Sequence, residues 1–125
     1  MNVLIDSSGW IEFFANGRNA EKWRKLILSA DKKTYITPST VLYEVYKKIK
    51  RDFAEEKADE AIAHIIDSTR IIQIDEGISI DAAEKSLAYG LAMADAIIKA
   101  TADLNDAKII TGDSHFKPFE NVQII

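Results

Sequence analysis

The chain has 125 residues, of which 47% are hydrophobic and 29% charged, and it contains no cysteine. That balance suits one domain, residues 1–125, around its own apolar core, and it excludes a disordered chain, a disulfide-stapled one and a thiolate metal site. The net charge of −4 argues against nonspecific coating of nucleic acid, which needs a cationic surface.

In chain order, Val3-Leu4-Ile5 is a short apolar run that stops at Asp6-Ser7-Ser8-Gly9, the pattern of a buried strand ending in a turn. Trp10, Ile11, Phe13 and Phe14 then mark a short helix, and Trp23, Leu26 and Ile27 recur at helical spacing. Pro38 terminates a second strand at Tyr35-Ile36-Thr37, and Ser39 or Thr40 is expected to cap the helix that follows. That helix carries the stripe Leu42, Val45, Tyr46, Ile49 and Phe53; a second stripe, Ala58, Ala61, Ile62, Ile65 and Ile66, makes the pair a helical hairpin. A third strand over Ile71–Ile74 closes at Asp75-Glu76-Gly77, after which Ile80, Ala83 and Leu87 mark a helix ending near Gly90. The last helix runs from about Ala94 to Leu104, and two further strands follow at Lys108–Thr111 and Val122–Ile125. Short Ile- and Val-rich strands alternating with helices predict an α/β three-layer sandwich, a central parallel sheet of about five strands flanked by helices.

In such sheets ligands bind beyond the carboxyl ends of the strands, where strand order reverses. Asp6 follows the first strand directly, and Asp113 lies two residues after Thr111. Asp95 opens the helix after Ala94, where free N–H groups and the helix dipole favour a carboxylate, and Glu44 sits in the first turns of the helix after the second strand. Two carboxylates ~4 Å apart repel by roughly 4 kcal/mol at an effective dielectric near 20, so a cluster of four must take up protons or hold cations. Carboxylate oxygens favour hard ions, Mg²⁺ or Mn²⁺, and a divalent ion in such a site suits phosphodiester hydrolysis.

These blocks together, Asp6-Ser7-Ser8, Glu44, Ala94-Asp95-Ala96-Ile97-Ile98 with Ala100-Thr101-Ala102, and Thr111-Gly112-Asp113-Ser114-His115-Phe116, resemble PIN domains, particularly VapC-type toxins, over the whole chain. The resemblance implies that Asp6, Glu44, Asp95 and Asp113 are the catalytic acids, with Asp6, Asp95 and Asp113 on the metal. It assigns supporting hydroxyls to Thr111 and Ser7, and makes the first and fourth strands neighbours. It further implies an RNA substrate, a homodimer and a small antitoxin protein covering the site. Met93 stands where many relatives have a proline or polar residue, and on a helical wheel Glu44 lies nearly opposite the stripe of its own helix. Glu44 therefore either faces the cleft or is an ordinary exposed acid.

Residues 1–51 hold ten of the sixteen Lys and Arg and five acids, whereas residues 52–125 hold six bases and fifteen acids. Solvated helix faces explain this split as readily as a basic approach to an acidic centre. Lys99, four residues after Asp95, is expected to pair with it or with substrate phosphate, and Arg18, Arg24, Lys47 and Lys48 are further candidates for phosphate contact. His115 is left out of the ligand set because the acids suffice without it, and His64 reads as structural. A phosphoacceptor receiver domain is the rival reading, with Asp75 as acceptor, but Asp6 is followed by serines instead of a second acid. An inactive interaction module with the same fold is the other alternative. With no cysteine, no basic segment before an apolar stretch at the N-terminus and no run approaching the ~20 apolar residues of a membrane span, a cytoplasmic location away from membranes is expected.

Overall fold

A computed structural model describes residues 1–125 as five parallel strands and six helices. In chain order these are β1 (Asn2–Ile5), α1 (Ser7–Phe14), α2 (Ala20–Leu28), β2 (Tyr35–Pro38), α3 (Ser39–Asp52) and α4 (Glu55–Ser68). Then come β3 (Arg70–Ile72), α5 (Glu76–Tyr89), α6 (Met93–Leu104), β4 (Ala107–Thr111), a 3₁₀ turn (Ser114–Phe116) and β5 (Val122–Ile124). The expected sandwich is present. Strand order is β3-β2-β1-β4-β5, with Leu4 in register with both Ile36 and Ile109.

This order has a functional consequence. The chain winds outward from β1 to β3 and then crosses back to β4 on the other side of β1, so the switch point lies between β1 and β4. Right-handed crossovers in the two directions put their helices on opposite faces. Accordingly α1–α4 share the main core, where Trp10, Trp23, Ile27, Val45, Ile49 and Ile65 are buried, while α5 and α6 pack on each other through Ile78, Ala82, Ala96 and Ala100. The order also differs from the 2-1-3-4-5 arrangement of receiver-type folds, and Asp75 is occupied as the N-cap of α5, its Oδ1 accepting from Ile78 N at 2.9 Å.

Several local expectations need correction. No turn follows β1: α1 begins at Ser7, and Gly9 lets it approach α2, since a Cβ there would lie 2.4 Å from the Trp23 ring. Neither Ser39 nor Thr40 caps α3, because the helix starts at Ser39 with Pro38 in the cap position. β3 is Arg70–Ile72, shifted and shortened relative to Ile71–Ile74, because its partner β2 ends at Pro38, which pairs with Ile72. Along α5 the buried positions are Ile78 and Ala82; Ile80 and Leu87 are exposed, since the helix touches α6 only along a narrow seam of small residues. On α3 the buried line is Val41, Val45 and Ile49, and Phe53 at the helix end is exposed. Gly90 ends α5 as expected, with φ +69° in the left-handed region that glycine adopts without strain.

Candidate metal centre at the carboxyl edge

Asp6 leaves β1 directly at the switch point, and its backbone N–H donates to Ile110 O on β4 at 3.0 Å. Its side chain is only 3% exposed. Two hydroxyls donate to Oδ2, Thr111 Oγ1 at 2.7 Å and Ser8 Oγ at 2.8 Å, which leaves Oδ1 with only a long contact to Ser7. Ser8 ties the two strand ends together further, because its Oγ accepts from Gly112 N at 3.1 Å. Thr111 Oγ1 also accepts from Asp113 N, at 2.9 Å, so one hydroxyl orients an acid on either side of it.

Asp113 caps the 3₁₀ turn, its Oδ1 accepting from His115 N at 2.9 Å, and buried Phe116 anchors that turn in the core. Asp95 sits in the first turn of α6 without making a side-chain capping bond, so its carboxylate is free for the cleft. Burial pushes its pKa above the ordinary 3.8, the charges of Asp113 and Asp6 push the same way, and His115 opposes them. One ligand atom each from Asp95, Asp113 and His115 lies within 4.8 Å of the others.

Glu44 faces this cluster. Val41, Val45 and Ile49 set the buried line of α3, and Glu44 lies about 60° from Val41 and about 100° from Val45 around the axis, on the flank of that line. Burial raises its pKa from the ordinary 4.5; Ser7 lowers it, and the charges of Asp6 and Asp95 raise it. Its Oε1 is enclosed without a hydrogen-bond partner. Asp95 thus stands close enough to Asp113 and Asp6, and Glu44 close enough to Asp6 and Asp95, for their charges to interact at one rim. None pairs with a lysine or arginine, and the basic partner of Asp95 and Asp113 is His115.

The expected phosphate contacts divide. Lys99 is a correction: it does not reach Asp95 or a substrate, because its side chain runs toward the amino edge of the sheet, donating to Asp103 Oδ1 at 2.6 Å and Asn121 Oδ1 at 2.8 Å. Lys47 and Lys48 share with Glu44, Ile11, Tyr43 and Arg51 the walls of a shallow cleft of about 260 Å³. Lys48 is held by Asp52 at 2.8 Å, whereas Lys47 donates to the Tyr43 hydroxyl at 3.2 Å. Arg18 lies exposed between α1 and α2, and Arg24 exposed on α2. Sequence reasoning missed Ser8 and set His115 aside. The signal for Ser8 was a hydroxyl two residues past an acid, readable once the helix is known to start at Ser7. His64 packs edge-on against Phe14 at 5.6 Å between ring centres, as a structural residue would, although its buried Nε2 has no hydrogen-bond partner.

The donor set fits a divalent cation: carboxylates with raised affinity for any positive partner, an orphaned buried carboxylate oxygen, and three ligand atoms already grouped.

The comparisons agree with this fold. By fold the chain is similar to a toxin–antitoxin complex chain from Klebsiella pneumoniae (TM-score 0.78, 24% identity, 98% of this chain and 96% of that one). It is also similar to Mycobacterium tuberculosis VapC20, a sarcin-ricin loop cleaving toxin (TM-score 0.80, 17% identity, 94% of each). A third similar structure is VapBC2 from Rickettsia felis bound to a DNA fragment from its promoter (TM-score 0.73, 15% identity, 100% and 98%). No curated protein sequence matches the chain. The PIN domain family model matches residues 3–121, nearly the whole length, and the chain belongs to the PIN domain family.

Proposed function

We propose that this protein is a divalent-cation-dependent endoribonuclease, with Mg²⁺ or Mn²⁺ as the ion, and the toxin of a type II toxin–antitoxin pair in the cytoplasm. The observation that carries the reading is the convergence of Asp6, Glu44, Asp95 and Asp113 without a lysine or arginine to neutralise them. A bound divalent ion would supply the positive charge that the phosphodiester oxygens need and would acidify a water near them.

The chain's own groups do the positioning. Thr111 and Ser8 fix Asp6 through Oδ2, so Oδ1 is the oxygen left for an ion. Thr111 also holds Asp113 through its backbone N–H, and Asp95 and Asp113 each bring a ligand atom to within 4.8 Å of the other. Glu44, half-buried and slow to ionise, is the acid placed to hold or release a proton beside the scissile bond. Lys47 and Lys48, one turn after Glu44 on α3 and lining the same cleft, are the phosphate contacts nearest to these acids, Lys47 being the one without an ion-pair partner; Arg18 and Arg24 lie earlier in the same basic half of the chain.

A loop-cleaving toxin among the proteins of this fold supports single-stranded or looped RNA as substrate, and the toxin–antitoxin complexes support a small antitoxin partner. Exposed Ile80 and Leu87, seven residues apart on one face of α5, are an apolar surface that suits a homodimer contact. No helix is long and apolar enough to cross a membrane.

The test is cleavage of single-stranded RNA by the purified protein before and after EDTA, with Mg²⁺ or Mn²⁺ added back, alongside Asp6→Asn. Cleavage that EDTA stops, the ion restores and Asp6→Asn lacks is the expected result. Cleavage that survives EDTA or Asp6→Asn overturns the proposal, and so does a folded protein that binds the ions and cuts nothing.

A further inference from the structure

We infer that His115 is a nitrogen ligand of this centre and biases it toward first-row transition ions over Mg²⁺; the inference rests on reading the acid cluster as a metal site. Its Nδ1 lies 3.2 Å from Asp113 Oδ1 and 3.8 Å from Asp95 Oδ2. Ligand atoms held at about 2.1 Å from one octahedral ion stand ~3.0 Å apart in adjacent positions and ~4.2 Å apart in opposite ones. Both separations from His115 fall between these values, and the three ligand atoms all lie within 4.8 Å of one another, so an ion among them takes all three groups with side-chain movements alone.

The local chain explains why the imidazole is there. Asp113 caps the turn by accepting from His115 N and Phe116 is fixed in the core, so the His115 side chain between them is displayed at the surface beside Asp113. The ring is 75% exposed, so packing does not account for its orientation. The Nδ1 lone pair is the one donor other than oxygen placed beside Asp113 and Asp95. A site built of carboxylates alone favours Mg²⁺, which keeps oxygen ligands and tolerates little distortion. Adding an imidazole raises affinity for transition ions, in the order Mn²⁺ < Co²⁺ < Ni²⁺, without a matching gain for Mg²⁺.

The experiment strips the full-length protein with chelator and titrates it with Mn²⁺, following the free-ion EPR signal, with Mg²⁺ as competitor, for the native chain and His115→Ala. Pulsed EPR of the Mn²⁺-loaded protein then looks for imidazole nitrogen coupling. The expected result is nitrogen coupling in the native chain that His115→Ala lacks, an Mn²⁺ affinity lowered about tenfold or more by the substitution, and Mg²⁺ binding unchanged. Equal Mn²⁺ affinities with no nitrogen coupling overturn the inference and leave the metal centre standing. Failure of the native chain to bind either ion overturns the metal-centre reading itself, and the inference with it.

Discussion

At the first turn of α6, Asp95 faces Asp6, Asp113 and Glu44; two turns further along the same helix, Asp103 faces Lys99, Lys85 and Asn121. The second arrangement is closed. Lys99 Nζ sits 2.6 Å from Asp103 and 4.7 Å from the centre of the Phe119 ring, and Lys85 reaches both Asp81, at 3.2 Å, and Asp103, at 3.5 Å. Although burial opposes it, Asp81 and Asp103 hold the Lys85 ammonium above its usual range. The fold thus supplies internal cations for acids near the amino edge and withholds lysine and arginine from those at the carboxyl edge. Partly buried like charges cost energy that a partner from outside can offset, and this contrast is what supports the carboxyl edge as the working end in the proposed function.

Exchanging one carboxylate for an amide at each end breaks the symmetry of residue type while keeping shape. Asp95→Asn is expected to lower RNA cleavage at least ~100-fold, beyond the loss typical of groups that only support metal ligands. It should also leave the melting temperature unchanged or raise it, because it relieves repulsion by Asp113 and Asp6. Asp103→Asn should do the reverse, melting earlier and cutting normally. If Asp95→Asn unfolds the protein, the open end is structural after all. A sharper version removes the cation: Lys99→Met leaves Asp103 with Lys85 and Asn121 alone and is expected to cost about 2 kcal/mol in denaturant unfolding, with cleavage per folded molecule unaltered.

Much of this contrast could be read in the sequence, and the unread part has definite causes. The strand-end positions of Asp6 and Asp113 followed from apolar runs stopping at acids, and the α6 placement of Asp95 from helical spacing. What no run of residues reveals is register across more than a hundred positions. Leu4 beside Ile109 is what lets Thr111 reach Asp6, and that pairing came only through the family resemblance. Glu44 was ambiguous because the helical stripe was drawn through Leu42 and Tyr46, both half-buried, when the contact line is Val41, Val45 and Ile49. Lys99 was misplaced because acids stand four residues away on both sides, Asp95 and Asp103, and only the position of Asn121 before β5 decides between them. His115 was set aside by counting acids, a count that carries no geometry.

The same contrast has a pH dependence of predictable sign. Glu44 and Asp95 have folded pKa values raised from 4.5 and 3.8, so between those values and the raised ones the folded state binds more protons than the unfolded state. Their contribution to stability therefore falls as pH rises through that window, opposite to a paired acid. Asp52 shows the paired case: hydrogen bonds from Arg51 and Lys48 hold it at about 2, and its contribution is lost only as pH falls from 3.8 toward that value. Measured by urea unfolding, the native chain should lose stability relative to a Glu44→Gln/Asp95→Asn variant as pH rises above the ordinary carboxylate range, and added Mg²⁺ or Mn²⁺ should restore it. A constant difference across that range would mean that the open end is already neutralised.

The smallest expected effect concerns the ground between the two ends, the basic turn of α3 beside Glu44. Lys48 and Arg51 both bind Asp52, at 2.8 Å and 2.9 Å, so each must give up a partner to meet a phosphate. Lys47 has only the Tyr43 hydroxyl to leave. A lysine that contacts one phosphate of single-stranded RNA releases its share of condensed counterions, so Lys47→Ala should make the slope of log affinity against log salt shallower by ~0.7. Lys48→Ala should change it less, because Asp52 already neutralises that ammonium. Binding of a non-cleaved RNA to Asp95→Asn protein, titrated at several salt concentrations, isolates this effect from catalysis. Equal slopes for all three proteins would place the RNA backbone on another surface, with exposed Arg18 and Arg24 as the cations to remove next.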